Sequence, residues 1–151
     1  MRVLLDADCL IKVTRAGFKE QVVRHFSVSA PRSVMDEVVA QGAARSDAAV
    51  VRSNAERGAI EVSDDRSVGG DDALVQVFNT GRFDVVGTDD RKLIRRMTAL
   101  GIPCVTPGVM IYQLVRMGAV ERSDALSFLA RLGPLISREE LQMVRFLLEE
   151  P

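Results

Sequence analysis

Short apolar runs alternate with helical patterns along the first two thirds of the chain. Five apolar runs have the length and composition of strands, and they cover residues 2–5, 27–31, 59–63, 83–88 and 103–106. Amphipathic segments between them predict helices at about 9–24, 31–42, 45–57, 70–80 and 89–100. Because strands that alternate with helices build parallel sheets with helices on both faces, the pattern favours an α/β fold.

The alternation stops after residue 106, where only helical patterns follow. Beyond the segment 106–118, two more helices are predicted in "ERSDALSFLARLG" and "SREELQMVRFLLEE", joined at Gly133 and Pro134. Ser137 and Glu140 have the spacing of a reciprocal capping box at the start of the last helix. We interpret residues 120–151 as a helical hairpin that extends a single domain spanning residues 1–151.

The predicted hairpin carries more apolar side chains than a wet surface would hold. They are Leu126, Leu129, Leu132, Leu141, Val144 and Leu148. We expect this face to form a homodimer interface, with packing inside the same chain as the alternative.

Composition narrows the class of protein without identifying it. The 151 residues are 47% hydrophobic and 27% charged, which is typical of a globular chain, and the net charge of -1 gives no overall basic field for nucleic acids. Cys9 and Cys104 have no metal or disulfide spacing, so we interpret them as small buried apolar residues in a reducing compartment. His25 is predicted to end a helix. We expect a cytoplasmic protein without a signal peptide or membrane span, because Asp6 and Asp8 interrupt the apolar start.

Carboxylates fall where a parallel sheet gathers its ligands. Asp6 ends the first strand, Asp90 follows the fourth, Asp71 and Asp72 begin a helix, and Glu37 lies about two turns into another. Singly, the helical acids also suit ordinary positions near helix N-termini. Together they would repel strongly unless a divalent cation lay among them, and oxygen ligands suit Mg²⁺ or Mn²⁺. Such ions serve phosphoryl chemistry.

Four segments also carry a family resemblance. They are "VLLDADCLI", "PRSVMDEVV", "GGDDALVQVF" and "VVGTDDRKLIRRMTALGIPCV". They resemble, in order, the four signature segments of PIN-domain ribonucleases. The last one is most similar to the archaeal, rRNA-processing and toxin branches of that family. The resemblance covers residues 1 to about 107, and the two-helix tail after residue 120 departs from the usual fold.

The resemblance implies a three-layer α/β/α sandwich with a five-stranded parallel sheet. It also implies a metal-dependent endoribonuclease that acts either as a toxin, with an antitoxin protein as partner, or in RNA processing. By position in the motifs, the acids that would hold the metal and act in catalysis are Asp6, Glu37, Asp72 and Asp90. Asp8 would contribute through a water molecule.

Two pairs of neighbouring acids leave a choice of ligand. The motif favours Asp72, whereas helical phase places Asp71 on the same face as Leu74 and Phe78. We predict Asp72 as the ligand and keep Asp71 as a close second. At the other pair, we predict that Asp89 caps the helix and Asp90 binds the metal.

A run of basic residues follows the last acid on one predicted helix. Its members are Arg91, Lys92, Arg95 and Arg96. We interpret them as contacts to RNA phosphates, and a solvated basic face is the alternative.

Two other functions remain open at this point. "LLDADCL" also matches the opening of haloacid-dehalogenase-type phosphatases, in which Asp6 would be the nucleophile and Asp8 the acid/base. That interpretation needs a Ser or Thr after a later strand, a lysine and a downstream pair of acids. Lysines are few, and Lys92 lies beside the last acid pair instead of ahead of it. The third function is a non-catalytic PIN-like binding module that keeps the acidic site.

Overall fold

The computed structural model of the chain describes residues 1–36, 60–63 and 70–151. It contains a five-stranded sheet, with β1 at Arg2–Leu5, β2 at Ser27–Pro31, β3 at Glu61–Ser63, β4 at Val85–Gly87 and β5 at Cys104–Val105. All four pairings are parallel, and the strands lie in the order β3-β2-β1-β4-β5. The predicted α/β class and the five-stranded parallel sheet are therefore confirmed.

Helices follow the strands in chain order. The first two are α1 at Ala7–Arg15 and α2 at Lys19–His25, and residues 32–36 are helical after β2. Next come α3 at Gly70–Phe78 and α4 at Arg91–Ala99, which flank β4 along the chain. The rest of the helix predicted at 31–42, and the whole of the one predicted at 45–57, lie outside the described residues.

The strand order reverses between β1 and β4. The chain adds β2 and β3 on one side of β1, then returns to place β4 and β5 on the other side. Leu5 pairs with Gly87, and the Asp6 amide donates to the Gly87 carbonyl at 3.0 Å. The carboxyl ends of β1 and β4 therefore lie side by side at the reversal, which is where open parallel sheets bind ligands.

The helix predicted at 9–24 is two helices. The helix α1 ends at Arg15, and α2 begins at Lys19. Between them Gly17 has a φ of 84°, a left-handed conformation that glycine adopts without steric cost. The predicted single helix was wrong because the apolar pattern continues across this turn, where Ala16 and Phe18 are both buried.

The predicted C-terminal hairpin is confirmed. After α5 at Pro107–Arg116, the chain forms α6 at Arg122–Leu132, a 3₁₀ turn at Gly133–Leu135, and α7 at Arg138–Glu149. The Ser137 hydroxyl caps α7 by accepting from the Glu140 amide at 3.1 Å. The Glu140 side chain does not complete the predicted box, because its Oε1 accepts from the Gly108 amide of α5 at 2.8 Å.

The apolar face of the hairpin is covered within the chain. Leu129, Leu132, Val144 and Leu148 are buried, and α6 and α7 pack against α5 and each other, with α6 also contacting α1. Leu126 and Leu141 are half-buried against the same core. The face on which the homodimer prediction rested is therefore used by intramolecular packing.

The core is mostly aliphatic, and it also contains the buried rings of Phe18, Phe26 and Phe128. Cys9 is fully buried, whereas Cys104 is only partly buried, and both are free thiols.

Among the helices in the described ranges, none has the length and apolar character that crossing a membrane requires.

Candidate functional site

A small pocket opens at the carboxyl edge of the sheet, where the strand order reverses. Its volume is about 90 Å³. Its lining consists of Asp6, Ala7, Asp8, Val34, Gly70, Asp71, Leu74 and Asp90. Four carboxylates from three distant stretches of the chain therefore share one pocket, as the parallel sheet predicts.

Asp6 is the buried acid of this pocket. It is 8% exposed, and it caps α1 by accepting from the Cys9 amide at 2.7 Å. Its other carboxylate oxygen accepts a hydrogen bond from the Thr88 hydroxyl. Burial raises the pKa of Asp6 to about 7, against these two hydrogen bonds, because desolvation disfavours the charged form. A cation bound in the pocket would have the opposite effect and favour the carboxylate.

Thr88 joins two of the acids and was not predicted as a functional residue. It is fully buried after β4, and its Oγ1 both donates to Asp6 and accepts from the Asp90 amide at 3.1 Å. In the sequence, Thr88 is visible only as one residue of the segment "VVGTDDRKLIRRMTALGIPCV". The signal that would have found it is a hydroxyl between an apolar strand and an acid, next to a strand that itself ends in an acid.

Asp90, and not Asp89, caps α4. Its Oδ1 accepts from the Lys92 and Leu93 amides at 2.8 and 3.2 Å. The predicted cap at Asp89 was wrong because α4 begins at Arg91, so that the residue before the first turn is Asp90. Asp90 still lines the pocket.

Asp89 pairs instead with a lysine. The Lys12 Nζ donates to Asp89 Oδ2 at 2.6 Å, and both side chains are largely buried. Burial works against the Lys12 ammonium, but the hydrogen bond to Asp89 and the charges of Asp8 and Asp6 raise its pKa overall. Lys12 therefore supplies a fixed positive charge beside the acids, a role that sequence analysis missed.

The doubled acids on α3 have different surroundings. Asp71 lines the pocket, whereas Asp72 does not and forms an ion pair with Arg96 of α4. The structure thus brings Asp71 together with Asp6 and Asp90. Glu37, the remaining predicted ligand, lies outside the described residues.

The four predicted RNA-binding residues lie exposed on α4, in the helix that begins at Asp90. Two of them are ion-paired across elements, Arg96 with Asp72 and Arg91 with Glu139 of α7 at 3.3 Å. The basic run therefore forms an exposed surface beside the pocket, partly neutralised by neighbouring acids.

The residue types that line the pocket suit a hard divalent cation, but the spacing of their side chains is wider than a metal site requires. Half of its lining residues are aspartates, whose carboxylate oxygens are the donors that Mg²⁺ and Mn²⁺ prefer, and the hydrogen bonds of Asp6 to other described residues come from Cys9 and Thr88, neither of which is a cation. Over residues 1–36, 60–63 and 70–151, however, no three acidic, histidine or cysteine side chains are grouped closely enough to hold a metal ion.

Comparison of the sequence with protein families and with curated proteins does not identify a family. The sequence matches no protein-family model, and no curated protein is significantly similar to it.

Proposed function

We propose that the chain is a Mg²⁺- or Mn²⁺-dependent endoribonuclease with a PIN-like α/β/α sandwich. The observation that carries this proposal is the convergence of Asp6, Asp8, Asp71 and Asp90 on one pocket at the strand-order reversal. An exposed basic helix starts at the same pocket, which suits a polyanionic substrate. The four motif segments and their order support RNA as that substrate. A toxin with an antitoxin partner and an RNA-processing enzyme are the two variants of this proposal.

Asp6, Asp71 and Asp90 would hold the cation, together with Glu37 by its place in the motif, and Asp72 is the motif's alternative to Asp71. A bound ion would neutralise charge on the phosphate and activate water for attack on the phosphodiester.

The chain's own residues prepare the acids for this role. Thr88 fixes the Asp6 carboxylate and the backbone of Asp90 relative to each other through one hydroxyl. The Cys9 amide fixes the second oxygen of Asp6. Asp8 presents an exposed carboxylate to the pocket, where it would accept a hydrogen bond from a water molecule. Lys12 limits the repulsion among these acids by holding Asp89.

The test is metal-dependent cleavage of a mixed pool of single-stranded RNA, mapped by sequencing. We expect cleavage with Mg²⁺ or Mn²⁺, none in excess chelator, and none by Asp6→Asn, whose amide oxygen still caps α1. The matched control is Asp124→Asn, which removes an exposed acid of α6 and should cleave like the wild type. Full activity in chelator or in Asp6→Asn would reject the proposal, and metal binding without cleavage would favour the binding module.

A second experiment tests whether Asp71 or Asp72 binds the metal ion. Mn²⁺ affinity is measured by titration calorimetry for Asp71→Asn and Asp72→Asn. Because Asp71 lines the pocket and Asp72 is held by Arg96, we expect the larger loss of affinity from Asp71→Asn. A larger loss from Asp72→Asn would restore the motif's assignment.

A phosphatase is the second candidate, because Thr88 follows a strand and touches Asp6 while Asp8 shares the pocket. This function requires a phospho-aspartate at Asp6. Trapping that intermediate with a small phosphoester, in protein that leaves RNA intact, would favour it over the nuclease.

A further inference from the structure

The basic surface of α4 consists of Arg91, Lys92, Arg95 and Arg96. The first and last of these residues form ion pairs with acids from other elements. Near its C-terminal end, Arg96 pairs with Asp72 from the first turn of α3. At its N-terminal end, Arg91 pairs with Glu139 from the first turn of α7. Among the described residues, no ion pair involves the two cations between them, Lys92 and Arg95.

The pair at Arg96 lies beside the pocket. Asp72 is the chain neighbour of Asp71, which lines the pocket, and Arg96 is on the helix that Asp90 caps at the pocket edge. A polyanion that reaches the pocket along α4 would therefore meet Arg96 already occupied by a carboxylate.

Both ion pairs are exposed enough to exchange. The side chains of Arg96 and Asp72 are 44% and 56% exposed, and those of Arg91 and Glu139 are 68% and 78% exposed. Exposed ion pairs contribute little free energy, because water solvates and salt screens both partners. A phosphate also carries a negative charge and accepts the same guanidinium hydrogen bonds, so it competes directly for the arginine.

We infer that Asp72 holds Arg96 in place of a substrate phosphate, and that RNA binds by displacing this carboxylate. Glu139 acts in the same way on Arg91, which makes the C-terminal hairpin part of the RNA-binding surface. The identity of the polyanion as RNA rests on the proposed function; the competition itself rests on the two ion pairs. Lys92 and Arg95 make the first phosphate contacts, and the two arginines join once their acids are displaced.

Binding is measured by fluorescence anisotropy of a labelled single-stranded RNA, in excess chelator, over a series of KCl concentrations. Chelator removes metal binding and cleavage from the measurement, so that a metal role of Asp72 does not contribute. We expect Asp72→Asn to bind RNA about two- to fivefold more tightly than the wild type, which lies within the range that loss of an exposed ion pair spans. Arg96→Gln, which loses one phosphate contact, should flatten the salt dependence by about 0.7 in slope, the value for one contact on a single strand.

Two comparisons separate competition from general charge repulsion. Asp71→Asn and Asp8→Asn remove the same charge from the same region without freeing an arginine, so they should gain less affinity and keep the wild-type slope. In an Arg96→Gln background, Asp72→Asn should increase the affinity for RNA no more than these two controls do. Glu139→Gln should give a smaller gain than Asp72→Asn, since its ion pair with Arg91 is more exposed.

Equal gains from Asp72→Asn and Asp71→Asn would overturn the inference, as would a gain that persists in Arg96→Gln. Loss of affinity in Asp72→Asn with an unchanged urea midpoint would also overturn it. These results leave the proposed function standing, because wild-type RNA binding and metal-dependent cleavage are scored separately. A wild type that binds no RNA at low salt would instead reject RNA as the partner, and the proposed function with it.

Discussion

Asp6 combines three roles at a single position. It follows β1, it caps α1 through the Cys9 amide, and it lines the pocket. Burial of the carboxylate opposes its ionisation by desolvation and raises its pKa to about 7, although the hydrogen bonds from Thr88 and the Cys9 amide act in the opposite direction. In the absence of metal, ionisation of Asp6 therefore destabilises the folded state relative to the unfolded chain, by an amount that depends on pH.

This penalty has a definite sign. Below about pH 4, Asp6 is protonated in both the folded and the unfolded chain, so it adds no pH dependence. As the pH rises from there through 7, the unfolded chain ionises Asp6 more readily, and the folded state loses on the order of 4 kcal/mol relative to it. Asp6→Asn removes this loss and keeps an acceptor for the Cys9 amide.

We therefore expect the free energy of unfolding of Asp6→Asn, minus that of the wild type, to grow as the pH increases from about 4 to about 8. Urea unfolding in chelator measures it at each pH, and Asp124→Asn should run parallel to the wild type. A constant difference between Asp6→Asn and the wild type would mean that Asp6 ionises normally in the fold.

The sequence pattern predicted the four acids of the pocket but not the hydrogen bonds and ion pairs that they and their neighbours form. Asp6, Asp8, Asp71 and Asp90 were all singled out, because acids near strand ends and helix starts are visible in the pattern. The pattern did not predict the cap at Asp90, because helix ends are uncertain by one or two residues. It did not predict the role of Thr88, because that contact depends on β4 lying beside β1. The choice between Asp71 and Asp72 depends on a similarly small shift in helical phase.

At the scale of helices and strands, packing determines where a helix ends and how closely two helices approach, which the local sequence pattern does not specify. The break at Gly17 is invisible in the apolar pattern, whereas Gly101 follows the end of α4 with a φ of 74°, the left-handed conformation that glycine commonly adopts after a helix. Gly108 shows a different requirement, the close approach of α5 to α7. A methyl group there would lie 2.8 Å from Glu140 Oε1 and 2.9 Å from Val144 Cγ2.

Gly108→Ala should separate α5 from α7. The added methyl group would push away the Glu140 carboxylate that accepts from the Gly108 amide, and it would overpack the site against Val144. We expect a loss of about 1–3 kcal/mol in the free energy of unfolding, measured by urea titration.

Gly133→Ala is the matched control for this prediction. Its added methyl group would make only ordinary contacts with Leu141, at 3.4 and 3.5 Å, and Gly133 has a negative φ. Equal stability of the two variants would show that the spacing between α5 and α7 is not fixed by this glycine.

At the scale of the whole molecule, the strand order explains why distant residues meet. Alternating patterns predicted five parallel strands, but they did not predict the order β3-β2-β1-β4-β5, which depends on pairing between strands far apart in the chain. With β1 and β4 adjacent, Asp6 and Asp90 reach the same edge, and α3 brings Asp71 to it. The sequence thus predicts that the acids lie at a sheet edge, and the topology determines which of them share a pocket.

The C-terminal hairpin is the second feature that only the whole fold explains. Its apolar face predicted a partner surface, and the fold supplies that surface from α5 and α1 of the same chain. Leu129 is almost completely buried there, whereas Phe146 is 60% exposed on the other side of the hairpin. If the hairpin belongs to the same core as the sheet, its buried residues stabilise the entire molecule.

Leu129→Ala should therefore lower the free energy of unfolding by about 2–5 kcal/mol, with urea unfolding still a single transition that does not depend on protein concentration. Phe146→Ala should leave the midpoint nearly unchanged, because its side chain already contacts water. Two separate transitions would show that the hairpin folds independently of the sheet. A midpoint that rises with protein concentration would instead indicate that a second copy covers the hairpin, as the apolar pattern alone had suggested, since only association links stability to concentration.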